Sequence, residues 1–169
     1  MAVAFNNRGT VYNNLKQYHK AITDLNEAIR LLPDYAIAFY NRGKAYDNLS
    51  EYDKALSDYN EAIRLKPDYA EAFANRGFVY NELSQYDKAI SDYNEAIRLK
   101  PDYAIAFYNR GFAYYFLKKY QTALKDYTEY IRLAPDDPDG YRFRANCYDN
   151  LGNNKAAQRD RAKAKELTT

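Results

Sequence analysis

The sequence predicts an all-α protein, a solenoid of five helix-turn-helix repeats. Prolines recur every 34 residues, at Pro33, Pro67, Pro101 and Pro135. The segment PDYAIAFYNRG occurs twice, beginning at Pro33 and again at Pro101. Only 6 of the 169 residues are glycine, and helix-favouring alanine, leucine, lysine and glutamate are abundant. A period of this length divides the chain, which we expect to form a single domain, into repeats 2–35, 36–69, 70–103, 104–137 and a shorter 138–169.

Each repeat shows the pattern of two amphipathic helices. In the second repeat, the apolar stripe of the first helix consists of Phe39, Gly43, Tyr46 and Leu49. The stripe of the second helix consists of Tyr52, Ala55, Leu56, Tyr59, Ala62 and Ile63. We predict a tight turn at Ser50-Glu51, an end to the second helix at Pro67 and an N-cap at Asp68 for the next helix. Neither helix can bury its stripe alone, so neighbouring hairpins are expected to stack.

The repeat resembles the tetratricopeptide repeat family in its length and in its motif residues. Position 4 is aromatic, at Phe5, Phe39, Phe73, Phe107 and Tyr141. Position 8 is small, at Gly9, Gly43, Gly77, Gly111 and Ala145. Position 11 is always tyrosine and position 20 always alanine, and position 27 is alanine except at Tyr130. The resemblance implies a right-handed superhelix whose first helices line a concave surface, and a function in binding other proteins.

One charged pattern departs from the family. Motif position 7, often aliphatic there, is arginine at Arg8, Arg42, Arg76, Arg110 and Arg144. Position 23 is aspartate at Asp24, Asp58, Asp92, Asp126 and Asp160. Because the two charges recur together in every repeat, we predict an Arg–Asp pair along the stack. The alternative is two separately solvated charges.

Composition argues against several classes of function. The net charge is only +2, so neither a nucleic acid nor an anionic membrane is an expected partner. With Cys147 as its one cysteine, the chain cannot form an internal disulfide, and a reducing, cytoplasmic setting fits it best. No apolar run reaches the roughly 18 residues that a membrane span needs.

We expect no enzymatic activity, no cofactor and no metal. No Cys/His spacing suits zinc, and no glycine-rich phosphate loop occurs. His19, the single histidine, is interpreted as a solvated surface residue, and Cys147 as a small buried apolar residue. The carboxylates recur at the same outward positions in each repeat, as at Asp58 and Glu61, which is typical of a solvated face rather than of a catalytic pair.

The two ends of the array differ in character. The last helix, from about Asn154 to Leu167, carries Gln158, Arg161 and Lys165 where other repeats are mostly apolar. Polar replacement is how a solenoid ends in water, so the C-terminal end is predicted to be complete. Residue 2 already occupies position 1 of a full repeat, without a polar capping helix before it. We therefore predict that the first repeat offers a surface for self-association. The alternative is that the chain is a fragment of a longer array.

A candidate binding face emerges where repeats differ. The second and third repeats differ at eight of 34 positions, and five of these, motif positions 2, 5, 9, 12 and 13, share an arc of about 100° on the first helix. This arc carries Val3, Ile37, Tyr40, Phe78, Ile105, Tyr108, Phe112, Tyr115 and Phe116, and also Lys44. A freely drifting exposed face would be polar, so we predict a ligand-binding surface, strongest at Phe78, Tyr108, Phe112, Tyr115 and Phe116.

Motif position 6 adds a ladder of amides, at Asn7, Asn41, Asn75 and Asn109. An amide offers a donor and an acceptor, which suits the backbone of an extended peptide. The ladder resembles the peptide-binding superhelix of O-linked N-acetylglucosamine transferases, which implies contacts to a peptide main chain. The alternative is structural, with each asparagine bonded to the neighbouring repeat. The family's carboxylate clamp is not supported, because position 6 is never basic.

The function predicted is that of a scaffold that holds an extended peptide or a partner helix in a groove lined by the first helices. Two alternatives stay open, namely the substrate-recruiting arm of a larger enzyme and a self-associating structural protein. A weaker option is a basic C-terminal surface for acidic partners, formed by Arg142, Arg144, Lys155, Arg159, Arg161, Lys163 and Lys165. Acidic residues interspersed among them argue against nucleic acid.

Overall fold

A computed structural model describes residues 1–168, and over that range the protein is all-helical. Its ten helices are α1 (Ala2–Asn14), α2 (Tyr18–Leu31), α3 (Ala36–Asn48), α4 (Tyr52–Leu65), α5 (Ala70–Glu82), α6 (Tyr86–Leu99), α7 (Ala104–Phe116), α8 (Tyr120–Leu133), α9 (Pro138–Asn150) and α10 (Asn154–Glu166). Each predicted repeat contributes two consecutive helices. The prediction of five helical hairpins is confirmed.

The helices pack in two compact units, Met1–Glu82 and the chain from Leu83 onward. In the first unit, α1 packs on α2 and α3 on α4, and α3 and α5 continue the stack on the preceding hairpins. In the second, α7 packs on α8 and α9 on α10, with α6 against α7 and α8 against α9. Sequence-adjacent packing of this kind is what stacked repeats require.

The turn inside each hairpin is set by one left-handed residue. In the second repeat α3 ends at Asn48 and α4 begins at Tyr52, which confirms the turn predicted at Ser50-Glu51. Ser50 has a φ of +58°, and the equivalent residues also have positive φ, at Lys16, Ser84, Lys118 and Gly152. Side chains with a Cβ occupy this region at an energetic cost, so the turn stores a little strain wherever glycine is absent.

The predicted N-cap at Asp68 is wrong. Helix α4 ends at Leu65, just before Pro67 as predicted, but α5 begins only at Ala70. Asp68 lies one residue too early, and its main-chain carbonyl accepts a hydrogen bond from Ala70 N at 3.1 Å. Tyrosine precedes the first helix of the second, third and fourth repeats, whereas Met1 precedes α1. Asp137 precedes α9, and its side chain accepts a hydrogen bond from Asp139 N.

Close helix crossing depends on small residues and buried rings. Alanines at motif position 20, among them Ala21, Ala55, Ala89, Ala123 and Ala157, are fully buried. A Cβ placed on Gly43 would lie 2.8 Å from Cε1 of the buried Tyr59, so no side chain fits there without movement.

Cys147 is fully buried, and burial raises the pKa of its thiol to about 12, whereas His19 is exposed. Both interpretations of these residues are confirmed.

The predicted Arg–Asp pairing is confirmed wherever the two side chains can be described together. Arg42 Nε and Nη2 donate to the two carboxylate oxygens of Asp58 at 2.8 and 2.7 Å. Equivalent pairs are Arg8–Asp24, Arg110–Asp126 and Arg144–Asp160. Arg42 Nη1 also donates to Asn26 of the preceding hairpin at 2.6 Å, as Arg110 Nη1 does to Asn94, so these two guanidinium groups each link two hairpins. Arg76 makes the same link to Asn60, and its pairing with Asp92 stays a prediction.

Candidate functional site

Large apolar side chains are exposed along the first helix of several repeats, at the positions that the sequence indicates. The exposed residues include Val3 on α1, Ile37 on α3, Phe78 on α5, and Ile105 and Phe116 on α7. Phe116 is the most open of those on α7, with 50% of its surface accessible. Exposed apolar groups gathered on one helix face mark an interaction surface more often than a solvated one.

The second unit gathers the densest group of these rings, which we name the aromatic patch: Tyr86, Phe112, Tyr115, Phe116 and Tyr120. Phe116 lies at its centre. Its ring centroid is 4.5 Å from that of Phe112, 5.8 Å from that of Tyr115 and 5.6 Å from that of Tyr86, with which it stacks. Tyr120 closes the group, 5.4 Å from Tyr115. Three predicted site residues therefore do lie together, on the last two turns of α7.

Sequence reasoning missed Tyr86, whose equivalent in the second repeat, Tyr52, it placed in the apolar stripe of the second helix. The missed signal is a fixed separation between repeats. The Tyr18 hydroxyl lies 3.1 Å from Asn48 Oδ1, the Tyr52 hydroxyl lies 3.4 Å from Glu82 Oε2, and Tyr86 meets Phe116. Each pair is separated by 30 residues, because the start of a second helix faces the end of the next repeat's first helix.

Two predicted surface aromatics belong instead to the packing between helices. The Tyr108 ring lies 5.0 Å from Tyr130, 5.3 Å from Phe143 and 5.9 Å from Tyr127. Burial, with the charges of two nearby aspartates, raises the pKa of Tyr108 to about 12. Tyr40, at the same motif position, lies 4.8 Å from Tyr69. Motif position 5 borders the next hairpin, so a ring there is half-buried by a neighbour that a single helical wheel omits.

Tyr115 has a mixed environment. It is half-buried and packs against the buried cluster of Ala123, Tyr127 and Cys147. Its hydroxyl accepts a hydrogen bond from Asn150 Nδ2 of the next hairpin at 3.3 Å. Tyr115 therefore contributes to the contact between hairpins as well as to the aromatic patch.

The amide ladder is not uniform, and Asn41 is a packing residue. Its Nδ2 donates to Asn6 Oδ1 at 3.0 Å and to Thr10 Oγ1 at 3.1 Å. Its main-chain carbonyl accepts a hydrogen bond from Asn13 Nδ2 at 2.8 Å. The residue is buried between α1 and α3. At this position the asparagine bonds to the neighbouring repeat, which is the structural alternative given by the sequence.

The other rungs vary. Asn75 Nδ2 donates to the Tyr40 hydroxyl at 3.2 Å and is half-buried, as is Asn109, whereas Asn7 is exposed. Lys44 is half-buried too, and its ammonium lies 5.7 Å from the centre of the Tyr40 ring. The polar members of the predicted site are therefore largely engaged within the first unit.

The pKa of one acidic side chain of the first unit, Asp47, is raised. Burial, and secondarily the charge of Glu82 on α5, raises the pKa of Asp47 on α3 to about 6. Asp47 occupies motif position 12, where Asn13 of the preceding repeat donates a hydrogen bond to a main-chain carbonyl. A carboxylate cannot donate in this way unless it is protonated.

No helix within residues 1–168 is both long enough and apolar enough to cross a membrane.

Family comparisons match overlapping stretches of the chain. A model described as TPR repeat matches residues 9–50 and 77–118. Two models described as tetratricopeptide repeat match residues 36–69 and 104–137, and residues 58–91. Together these matches run without a gap from residue 9 to residue 137. A search of curated proteins found no match.

Solved structures of MamA share the fold. The MamA RS-1 ArsTM double mutant aligns with a TM-score of 0.91 and 22% identity, over 99% of this chain and 94% of that one. MamA 41-end from Desulfovibrio magneticus RS-1 gives 0.90 and 21%, over 99% and 94%. A crystal structure of MamA gives 0.88 and 22%, over 95% and 94%. At such identity the likeness concerns the helical architecture alone.

Proposed function

This chain belongs to the tetratricopeptide repeat family, a protein-interaction scaffold, and we propose that it binds an extended peptide or a partner helix along the first helices of its repeats. The observation that carries the proposal is the aromatic patch around Phe116. Large, rigid aromatic side chains typically dominate binding energy when they are gathered at one surface. We take the chain to act by binding, without a catalytic step of its own.

The ligand favoured by this surface is apolar. Phe112 and Phe116 present carbon surface, and Ile105, with 42% of its surface accessible, adds an aliphatic group nearer the start of α7. Residues of this kind on one helix suit a ligand that places apolar side chains at intervals along its length. We propose that the affinity comes chiefly from these contacts. Asn41, whose amide already bonds to Asn6 and Thr10, is excluded from the site.

The test begins with peptides selected from a displayed random library against the whole protein. The affinity of a selected peptide is then measured by fluorescence anisotropy for the wild type and for the Phe112→Ala/Phe116→Ala variant. We expect the double substitution to weaken binding by about a hundredfold or more, since each ring that anchors a ligand contributes about 2 kcal/mol.

The matched control is Leu151→Ala, which truncates an equally apolar residue with 42% of its surface accessible, outside the aromatic patch. We expect it to leave peptide affinity unchanged. Selected peptides that bind the double variant as tightly as they bind the wild type would show that the site lies elsewhere. Circular dichroism of both variants verifies that any loss of binding is not a loss of fold.

A further inference from the structure

The last hairpin contains a cavity whose charge differs from that of its counterpart in the second repeat. A space of about 460 Å³ opens between α9 and α10, lined by Tyr141, Arg144, Tyr148, Arg159, Asp160 and Lys163, with Ala156. The counterpart between α3 and α4, of about 580 Å³, is lined by Phe39, Arg42, Ser57, Asp58, Glu61 and Arg64, with Asn60. The comparison is internal, since equivalent residues of the two repeats are 102 positions apart.

Three substitutions between the repeats change the charge in and beside the cavity. Arg159 replaces Ser57, Lys163 replaces Glu61, and Glu166, beside the lining, replaces Arg64. In the second repeat, two arginines face two carboxylates, so the lining is neutral. In the last repeat, three cations and the single carboxylate of Asp160 form the lining, an excess of two positive charges that Glu166, beside the lining and 2.9 Å from Lys163, reduces to one.

The excess resides on Arg159 and Lys163. Arg144 is committed to Asp160, with Nε and Nη2 donating at 2.7 and 2.9 Å. Arg159 makes no ion pair with any residue in the described part of the chain. Lys163 Nζ contacts Glu166 Oε1 at 2.9 Å, but both side chains are open to solvent, and exposed pairs of this kind contribute little. Arg159 is thus available to a ligand, and Lys163 becomes available when a ligand displaces its exposed partner Glu166.

We propose that the cavity between α9 and α10 binds a phosphate monoester. A phosphate monoester is nearly dianionic at neutral pH and suits the guanidinium of Arg159, with Lys163 exchanging its exposed pair with Glu166 for a phosphate oxygen. The rings of Tyr141 and Tyr148 line the same cavity and suit an aromatic or apolar carrier of the phosphate. Asp160 is neutralised by Arg144, so it does not repel the ligand strongly.

The test titrates the whole protein with phenyl phosphate, at constant ionic strength, and follows backbone amide shifts by NMR. We expect saturable shifts at α9 and α10. Lys163→Glu and Arg159→Ser install the residues of the second repeat, and each is expected to weaken binding by about tenfold or more, since a charge-assisted hydrogen bond is lost. Lys165→Glu makes the same charge change on an exposed residue outside the lining, and is expected to alter the affinity by less than about threefold.

A variant that is expected to acquire phosphate binding in the second repeat provides a second test. Ser57→Arg/Glu61→Lys places the two cations in the second repeat, and phenyl phosphate should then also shift amides of α3 and α4. This test does not depend on the folding of the α10 variants. Phenyl sulfate, a monoanion with the same ring, is expected to bind at least about tenfold more weakly, because half of the ligand charge is absent.

One further ligand, a phosphotyrosine peptide, distinguishes the source of the phosphate. A phosphotyrosine peptide that binds more tightly than phenyl phosphate indicates a phosphorylated protein partner, and equal affinities indicate a free ester. The proposal is overturned if phenyl phosphate shifts no amides of α9 and α10, or if Lys165→Glu weakens binding as much as Lys163→Glu does. The second result would show that binding depends on the overall charge of α10 rather than on the residues that line the cavity.

Discussion

Replacing Gly43 with alanine tests how closely the two helices of a hairpin cross. The new Cβ would lie 2.8 and 2.9 Å from two ring carbons of Tyr59, whereas ordinary contact begins at about 3.4 Å. Tyr59 is fully buried, so its ring cannot swing into solvent. Because both contacts are below 3.0 Å, we place the cost of overpacking at about 2–3 kcal/mol, and alanine recovers about 1 kcal/mol of helix propensity. We expect a net loss of about 1–2 kcal/mol in the free energy of unfolding.

The assay is denaturant unfolding followed by circular dichroism, with hydrogen exchange of α3 and α4 to localise the effect. The last repeat supplies a natural comparison. It already carries Ala145 at the position of Gly43, and the residue equivalent to Tyr59 is the exposed Arg161. Ala145 is fully buried, so Ala145→Gly should lower stability by about 1–2 kcal/mol, through helix propensity and the loss of one buried methyl group. A Gly43→Ala protein as stable as the wild type would refute the close crossing inferred for the second repeat.

Three further substitutions act at single positions, and denaturant titration measures each. Ser50→Gly is expected to raise the free energy of unfolding by about 0.5–1 kcal/mol, because Ser50 holds a φ of +58°. Asp58→Ala is expected to lower it by about 2–4 kcal/mol, because it leaves the Arg42 guanidinium, only 20% exposed, without its carboxylate. Asp47→Asn is expected to raise it by about 1 kcal/mol at pH 7 and to leave it unchanged near pH 4.

The sign of the Asp47 effect follows from its titration. Its pKa in the folded protein is raised to about 6, above the ordinary value of 3.8, by burial and then by Glu82. Between these values the unfolded chain has released a proton that the folded chain still holds, so stability falls as the pH rises from about 4 to about 6. Asparagine removes this loss. A gain that is equal at pH 4 and pH 7 would assign the effect to something other than protonation.

The other two substitutions have internal controls. Gly152, at the position of Ser50, has a φ of +75° and nothing within 4 Å of a Cβ built on it, so Gly152→Ser should destabilise through backbone conformation alone. Ser57→Ala, at an exposed site next to Asp58, should change stability by less than about 0.5 kcal/mol. If Asp58→Ala were equally silent, the buried ion pair would contribute nothing to the fold.

The fold was predictable because its determinants repeat. A 34-residue period fixes the number of hairpins, and each hairpin buries its stripe only against sequence neighbours. The co-occurrence of arginine at position 7 and aspartate at position 23 predicted a contact 16 residues apart, which Arg42 and Asp58 make. Helix starts were less predictable, since Asp68 has a good capping side chain but stands one residue too early to use it.

The candidate site was only partly predictable, because contacts between repeats decide which side chains stay open. A wheel drawn for α7 alone places Tyr108 on the same open face as Phe112, yet the next hairpin covers Tyr108 with Phe143. Asn41 is likewise buried by a neighbouring repeat, because Asn6 and Thr10 of α1 accept hydrogen bonds from its amide. Sequence periodicity describes one helix, whereas burial at its edges depends on the neighbouring one.

Phe116, proposed to contact a ligand, differs from its equivalents in the other repeats. Its motif position carries Asn14, Asn48, Glu82 and Asn150 elsewhere in the chain. Those polar residues show that the fold does not require a ring there. Asn48 and Glu82 even meet the preceding repeat's tyrosine hydroxyl, the contact that Phe116 makes through Tyr86 by stacking. A phenylalanine half-exposed at a position where the scaffold works with asparagine exposes apolar surface without a structural need. The partner proposed above would cover this ring and so account for it.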